Sequence, residues 1–257
     1  MKRRMRRLMP ADGRILIVAM DHTSFMDKPI PALASYGETC ATVASAGADA
    51  FLAPLGSSAL YAEQMGSAAL ITSVQTQPPV LQVAVERALA VGADGIKCMV
   101  YPFGDDNSVN EAGLLGADAA RYGLQFIAET IPGGFQRTDL HTPERIAAAA
   151  RIGVEQGADV IKTFYTGDPE SMRTVIENAG VPVVVLGGPR MDSPRALLQV
   201  VYDAVVVAGA SGVAFGTNVW TDPQPDRVTR AIAAIIHGGS TVDDALAEHF
   251  SDAAISA

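Results

Sequence analysis

The sequence predicts an α/β fold, a single (β/α)8 TIM barrel, and three observations lead to this. Short, nearly continuous apolar segments alternate with alanine-rich helical segments along the 257 residues, as in parallel βαβ units. One helix-to-strand phrase recurs four times. No glycine-rich dinucleotide turn follows the first strand, where DHTSFMD stands instead, so a doubly wound open sheet is the second choice.

The recurring phrase begins at positions 46, 91, 156 and 208, as AGADAFLAP, VGADGIKCMVY, QGADVIKTFY and AGASGVAFG. In each copy a glycine can end the helix in a left-handed conformation before an apolar strand starts. Together with the segments between the copies, this predicts eight strands, near 15–20, 50–53, 69–73, 95–100, 124–129, 159–164, 182–186 and 212–216. Helices are predicted at 32–46, 79–91, 108–122, 142–156, 169–179, 193–208 and 224–236.

Composition limits the class of protein. We expect one domain over 1–257, with 1–12 as a basic, solvated N-terminal extension. The net charge of −9 argues against a nucleic-acid partner, and no apolar run reaches the roughly 18 residues needed to span a membrane. The two cysteines, Cys40 and Cys98, have no metal-site or CxxC spacing, which favours a cytoplasmic location.

Two of the four lysines stand inside apolar strand segments, Lys97 and Lys162. Side chains alternate along a strand, so Lys162 shares a face with Val160 and Phe164, and that face is expected to be the lumen. Burial lowers the pKa of an ammonium group, and a second ammonium nearby lowers it further, which can leave a neutral amine able to form a Schiff base. The alternative is a buried ion pair, for Lys97 with Asp21 or Glu129.

Functional groups of a barrel collect at the C-terminal ends of its strands. Asp21 and Glu129 end strands 1 and 5, where a carboxylate can transfer protons or merely pair with a lysine. His22 follows Asp21 and could contact a substrate or simply hydrogen-bond in a turn. Tyr165, after strand 6, is a further catalytic candidate. The other candidates for contact with substrate or phosphate at strand ends are Tyr101, Gly187, Gly188, Arg190, Gly216 and Thr217.

Loops after strands 7 and 8 often bind phosphate in barrels, although the same glycines also suit plain tight turns. The histidines at 22, 141, 237 and 249 lack the spacing of a metal site. No GxSxG motif supports a serine hydrolase. We therefore expect neither a metal nor another cofactor.

Four segments together resemble the archaeal-type class I aldolases, a group with fructose-bisphosphate aldolases, aminodideoxyheptulosonate synthases and the autoinducer-2 thiolase. GADVIKTFYTGD resembles their Schiff-base strand, IVAMDHTSFMD their strand 1 motif, and VLGGPR and GVAFGTNVW their two phosphate-binding loops. The resemblance implies that Lys162 forms the Schiff base, that Asp21 assists, and that Gly187, Gly188 and Gly216 hold phosphate.

Three features depart from that pattern. Thr217 stands where the group usually has an arginine in a Gly-Arg-Asn loop, and Ile131 stands where it usually has an acid/base tyrosine. Lys97 and Glu129 look more like the tagatose-bisphosphate aldolase branch. Proton transfer is therefore expected from Glu129, Lys97 or Tyr165.

The function implied is a metal-independent aldehyde-lyase that forms a lysine Schiff base with a ketose or ketose phosphate and makes or breaks a C–C bond. One alternative is aldol or acyl transfer on the same scaffold, and another is a non-catalytic sugar-phosphate sensor. A homo-oligomer is expected.

Overall fold

Eight parallel strands close into a barrel in the order of the sequence, as seen in a computed structural model that describes residues 4–74 and 83–250. The (β/α)8 prediction is confirmed. Each strand pairs with the next, and β8 pairs with β1. The strands are β1 Ile15–Ala19, β2 Ala50–Pro54, β3 Ala69–Ser73, β4 Gly95–Val100, β5 Gln125–Thr130, β6 Val160–Thr163, β7 Val183–Leu186 and β8 Gly212–Phe215.

Closure between the first and last strands depends on a glycine. Gly212 is the register partner of Ile15, and a Cβ at this position would lie 2.8 Å from the carbonyl carbon of Ile15. Its φ of +151° is also a value that other residues rarely adopt. Glycine is therefore the residue that allows β1 and β8 to approach to hydrogen-bonding distance.

Helices surround the barrel and cover its outer face. They are α1 Met5–Leu8, α2 Tyr36–Ser45, α3 Leu55–Leu60, α4 Ala62–Met65, α5 Ala84–Ala90, α6 Asp106–Arg121, α7 Pro143–Glu155, α8 Pro169–Ala179, α9 Pro194–Val201, α10 Thr217–Trp220, α11 Pro225–Ile236 and α12 Val242–Phe250. A π-helical turn, Tyr202–Val207, continues α9. None of the helices in the described ranges is long and apolar enough to cross a bilayer.

The predicted helices are found, with two kinds of difference. The segment expected at 32–46 is a 3₁₀ turn, Pro31–Leu33, followed by α2. Of the helix expected at 79–91, residues 79–82 lie outside the described ranges, and the rest contains α5. Sequence analysis assigned none of the short helices α1, α3, α4 and α10, nor α12, because four to nine residues carry too little periodicity to identify a helix.

The recurring phrase has a clear structural role at the N-terminal end of the barrel. Its four glycines, Gly47, Gly92, Gly157 and Gly209, all have positive φ angles, between +78° and +102°, as predicted for helix ends. The aspartates in three copies accept a hydrogen bond from the preceding strand: from Leu16 N at 2.6 Å, Leu70 N at 3.1 Å and Phe126 N at 2.9 Å. These carboxylates satisfy strand N–H groups at the end of the barrel opposite the candidate site.

The N-terminal segment is partly buried, which corrects the expectation of a solvated extension. Met5 is 6% exposed and Leu8 is 1% exposed, and both pack beneath the lower lumen. There they join side chains from seven of the eight strands: Ile15, Ile17, Ala19, Ala50, Leu52, Ala69, Ile71, Ile127, Val160, Val184 and Ala214. Only the arginines of α1 face water or an acid, as in the ion pair between Arg7 and Asp94 at 2.7 Å. A short apolar pair at i, i+3 among arginines is enough to plug the barrel.

Candidate active site

A cavity of about 360 Å³ opens at the C-terminal ends of the strands, the end where barrels carry their sites. Its walls come from β1, from β4 to β8 and from the loops that follow them. The lining residues are Ala19, Asp21, His22, Phe25, Met26, Met99, Glu129, Phe135, Lys162, Phe164, Leu186, Gly187, Gly188, Pro189, Ala214, Gly216 and Thr217.

Four charged side chains form a buried chain at the floor of this cavity. Lys97 Nζ donates to Asp21 Oδ2 at 2.9 Å and lies 2.6 Å from Glu129 Oε2. The other carboxylate oxygen of Glu129, Oε1, lies 2.8 Å from Lys162 Nζ. Ser73 Oγ donates to Asp21 Oδ2 at 2.7 Å. Two cations and two anions therefore neutralise one another in a row.

Strand register explains why these residues meet. Glu129 on β5 is the register partner of Lys162 on β6, and Ser73 on β3 is the partner of Lys97 on β4. Partners in a parallel sheet point to the same face. Lys162 points to the lumen with Val160, which lies in the lumen core, and Phe164, which lines the cavity, as the alternation of the strand predicted.

The electrostatics of this chain follow from its pairing. Burial disfavours the charged forms of Asp21, Glu129 and Lys97, but for these three groups the neighbouring opposite charges outweigh burial. Lys97 and Lys162 hold the pKa of Asp21 and that of Glu129 below their ordinary values. Asp21 and Glu129 together raise the pKa of Lys97 above its ordinary value. At neutral pH Asp21, Glu129 and Lys97 are all charged.

One expectation is corrected here. Lys97 and Lys162 were expected to depress each other's pKa. Glu129 lies between them, and its carboxylate separates the two ammonium groups, so the pKa of Lys97 rises. Lys97 is the ion-paired lysine of the alternative interpretation. It is 1% exposed and is absent from the cavity wall, whereas Lys162 reaches that wall.

His22 borders the cavity as a neutral ring. Burial lowers its pKa below 6.5, and the nearby Asp21 only partly opposes this. Its Nδ1 is buried, lies 3.9 Å from Asp21 Oδ1, and makes no hydrogen bond within the described residues. The ring is instead fixed by the edge of Trp220, whose centroid is 5.3 Å away. His22 is thus held by packing, with a ring nitrogen left unpaired.

The two glycine loops also border the cavity. A Cβ on Gly216 would lie 2.6 Å from His22 Cε1, so only glycine fits between the loop and that ring. Asn218 ties the loops together: its Nδ2 donates to the carbonyl oxygens of Gly187 and Pro189, each at 3.1 Å, and its Oδ1 accepts from Met191 N at 2.8 Å. Gly187, Gly188, Gly216 and Thr217 are therefore brought together at one wall.

Three predicted site residues lie away from the cavity. Arg190 donates to the Thr221 carbonyl at 3.0 Å and lies 4.0 Å from Asp222. Tyr101 donates to Met99 Sδ at 2.9 Å and is not part of the cavity wall. Tyr165 lies two residues beyond the end of β6, packs against the outer core and is not part of the cavity wall. Its buried hydroxyl has no partner among the described residues, and burial raises its pKa to about 12.

Sequence reasoning missed several residues of the site. Ser73 ends β3 and could have been found by the same strand-end rule that identified Asp21. Asn218 stood in the GTN loop, but nothing in one sequence indicates that its amide spans two loops. The apolar residues of the mouth, Phe25, Met26 and Phe135, lie in loops without periodicity, so no sequence signal pointed to them.

Comparison with known proteins gives one consistent family. A profile described as DeoC/LacD family aldolase matches residues 15–222. The chain is 32% identical to the class 1 fructose-bisphosphate aldolase of Thermoproteus tenax, over 93% of this chain and 96% of that protein. It is 32% identical to the 2-amino-3,7-dideoxy-D-threo-hept-6-ulosonate synthase of Halobacterium salinarum, over 92% and 91% of the two chains.

A solved structure extends the likeness to the fold in three dimensions. An archaeal fructose-1,6-bisphosphate aldolase, with its catalytic lysine covalently bound to the carbinolamine intermediate of the substrate, superposes with a TM-score of 0.78 at 29% identity. The superposition covers 91% of this chain and 98% of that one.

Proposed function

This chain belongs to the DeoC/LacD family of aldolases and is a class I, Schiff-base aldolase, and we propose that Lys162 is the lysine on which the ketone substrate forms its imine. One observation carries the assignment: among the described residues, Lys162 is the lysine whose side chain reaches the cavity wall. Its amine lies 2.8 Å from Glu129 Oε1, a carboxylate placed to take the ammonium proton.

The reaction then follows from the arrangement. Glu129 accepts a proton from Lys162, and the free amine attacks the ketone carbon. Glu129 returns the proton to the carbinolamine oxygen, which leaves as water. The protonated imine withdraws the electron pair of the bond between the carbon next to the imine carbon and the carbon after it. Asp21 accepts the proton of the hydroxyl on that second carbon, which becomes the carbonyl carbon of the released aldehyde. Asp21 returns this proton to the enamine carbon left by the cleavage, and water then adds to the restored imine and releases the ketone from Lys162.

Lys97 is a positioning residue in this scheme. It stays a cation between Asp21 and Glu129, so it keeps both carboxylates ionised and oriented toward the cavity. Ile131, which stands where the related aldolases usually have an acid/base tyrosine, is fully buried. Proton transfer therefore rests on Glu129 and Asp21, and Tyr165, which faces the outer core, takes no part.

The ketone half of the substrate lies between Lys162 and the wall formed by Gly187, Gly188, Gly216 and Thr217. Exposed backbone N–H groups of such loops can bind an anionic group, and the Thermoproteus tenax relative is named for a bisphosphate substrate. A ketose phosphate is thus the substrate class. The chemistry needs no metal, because the iminium ion supplies the electron sink; we expect full activity after treatment with EDTA.

Trapping tests the assignment of Lys162. Dihydroxyacetone phosphate with sodium borohydride should attach a reduced adduct to the parent protein, located on Lys162 by peptide mass spectrometry. Lys162→Ala should take up no label, while Lys28→Ala, which changes an exposed lysine, should be labelled like the parent. Equal labelling of Lys162→Ala and the parent would show that the assignment is wrong.

Transfer chemistry is the second candidate function, because the Halobacterium salinarum relative, a heptulosonate synthase, is as similar as the Thermoproteus aldolase. Aldol cleavage and transfer begin with the same imine. They differ in whether the lysine-bound ketone fragment is released by water or reacts with an acceptor. Product analysis by NMR, with and without an added acceptor, separates the two. A non-catalytic sensor would give neither product nor turnover.

The cellular setting is also part of the proposal. Both Cys40 and Cys98 are free and buried, and burial raises the pKa of each thiol to about 12. These thiols form no disulfide, which suits a reducing cytoplasm. Assembly into a homo-oligomer stays a prediction, which light scattering checks.

A further inference from the structure

The mouth of the cavity is apolar on two facing sides. Phe25 and Met26 come from the loop after β1, and Phe135 comes from the loop after β5. They are 46%, 51% and 45% exposed. Large apolar side chains gathered at one place on a surface usually mark a binding site. All three line the cavity that contains Lys162.

Aromatic contacts fix Phe25 and Phe135 in place. Phe135 meets the edge of Phe164 with ring centroids 6.1 Å apart, and Phe164 lies 4.4 Å from the ring of His141. On the other side, Phe25 lies 5.6 Å from His22. The rings therefore form two preformed walls, which lowers the entropic cost of binding a flat apolar group.

The described residues that line the mouth offer no free cation to an anionic ligand. Among the described lining residues the only basic side chains are Lys162, which is committed to the imine, and His22, which is neutral. Arg137, two residues from Phe135, forms a bidentate pair with Asp139 at 2.8 and 2.9 Å. Of the residues outside the described ranges, 75–82 and 251–257 contain no lysine, arginine or histidine, and residues 1–3 precede α1, which packs at the opposite end of the lumen. A phosphate here would lose water without gaining a counterion.

The glycine wall lies elsewhere in the cavity, on the loops after β7 and β8 next to Lys162. An anionic group on the substrate is thus accommodated on the ketone side only. The two halves of the substrate meet different surfaces, polar backbone on the ketone side and aromatic rings on the aldehyde side.

From this arrangement we propose that the aldehyde half of the reaction is an uncharged aryl aldehyde, held between Phe25 and Met26 on one side and Phe135 on the other. The proposal rests on the Schiff-base function assigned to Lys162. In the synthetic direction the enamine carbon of the lysine-bound ketone attacks the aldehyde carbon. A C–C bond forms, the C=O π pair moves to oxygen, and that oxygen takes a proton. Hydrolysis of the imine then releases a β-hydroxy ketone bearing the aryl group.

The experiment measures acceptor preference. Dihydroxyacetone phosphate, dihydroxyacetone and pyruvate are first tested as ketone donors by borohydride trapping. The donor that labels Lys162 is then supplied to fresh enzyme, without borohydride, together with benzaldehyde, glyceraldehyde or glyceraldehyde 3-phosphate. We expect kcat/KM for benzaldehyde to exceed that for glyceraldehyde 3-phosphate by at least tenfold, a ratio that hydrophobic pockets commonly reach.

Matched variants place the preference at the mouth. Phe135→Ser should lower kcat/KM for benzaldehyde about tenfold and leave donor trapping unchanged. Leu114→Ser removes another exposed apolar side chain, 64% exposed, on α6 and outside the cavity wall, and should change neither quantity.

Three results would overturn the proposal. One is a preference of the parent protein for glyceraldehyde 3-phosphate, particularly one lost in Lys28→Gln, since this exposed lysine lies two residues from Met26. The second is an unchanged preference in Phe135→Ser. The third is a change of oligomeric state by light scattering in Phe135→Ser without a change in acceptor preference, which would make the apolar mouth a subunit interface. Failure of trapping at Lys162 instead contradicts the Schiff-base assignment.

Discussion

At the scale of single residues, the site depends on a balance of buried charges. Asp21, Lys97, Glu129 and Lys162 are each 5% exposed or less, and each ion has an opposite ion within 3 Å. Removing one member leaves its partners buried and uncompensated, and this usually costs more than the intact pair contributes. The same arrangement that positions the carboxylates for catalysis therefore makes the site sensitive to single substitutions.

Lys97→Met tests this balance. The variant leaves two buried carboxylates with one cation, and we expect it to lower the free energy of unfolding by about 3–5 kcal/mol. Lys28→Met, an exposed change, should cost almost nothing. Urea denaturation with a fluorescence readout measures both.

The pH dependence of Lys97→Met follows from the lowered pKa values of Asp21 and Glu129. Groups with a lowered folded pKa contribute stability above their ordinary values, 3.8 and 4.5, and lose it as the pH falls through their folded values. The stability gap between parent and variant should thus be widest near pH 7 and narrow below pH 4.5. A gap that stays constant with pH would mean that the two carboxylates are not what Lys97 stabilises.

At the scale of elements, the two ends of the barrel have separate roles. The C-terminal end carries the site, on loops joined by Asn218. The N-terminal end carries the aspartates of the recurring phrase and the plug formed by α1. Because the two ends share only the strands between them, a defect at the plug should reduce stability and leave the chemistry intact.

Leu8→Ala tests this separation. Leu8 is 1% exposed and packs against the lower lumen, so truncation should cost about 2–5 kcal/mol through lost burial and a residual cavity. Arg6→Ala, an exposed change on the same helix, is the control. Borohydride labelling at Lys162, below the thermal transition, should be equal in all three proteins. Loss of labelling in Leu8→Ala would show that the plug shapes the site.

At the scale of the whole molecule, the segment before β1 meets the C-terminal end of α11 at the foot of β1 and β2. His237, just after α11, bridges Asp12 at 2.6 Å and Asp49 at 2.9 Å, and Arg14 donates to the Ile236 carbonyl at 2.7 Å. Hydrogen bonding to Asp49 and Asp12 raises the pKa of His237 to about 9. The charged imidazole thus joins the N-terminal segment, the foot of β2 and the penultimate helix.

The sign of the pH effect is set by that raised pKa. A raised folded pKa contributes stability that is fully present below the ordinary value of 6.5 and is lost as the pH rises through about 9. The parent should therefore have a higher Tm than His237→Gln at pH 6, with the difference fading by about pH 10. In an Asp12→Asn background, the Tm difference between His237 and His237→Gln at pH 6 should be smaller, because one of the two carboxylate partners of His237 is lost. Equal Tm differences between the parent and His237→Gln at pH 6 and pH 10 would show that the charge of His237 does not stabilise the fold.

The sequence by itself determined the barrel, its eight strands and the direction of Lys162, because these follow from local patterns: apolar strands, glycines that end helices, and alternation along a strand. It also placed Asp21, Glu129 and the glycine loops at the catalytic end. Tertiary structure alone decided how the charges pair and which residues surround the cavity. Glu129 separates the two lysines because β5 lies between β4 and β6, Tyr165 faces the outer core, and Arg190 turns to Asp222. These outcomes depend on distances between residues far apart in the chain, and pairing across strands is what determines whether a buried lysine remains a cation.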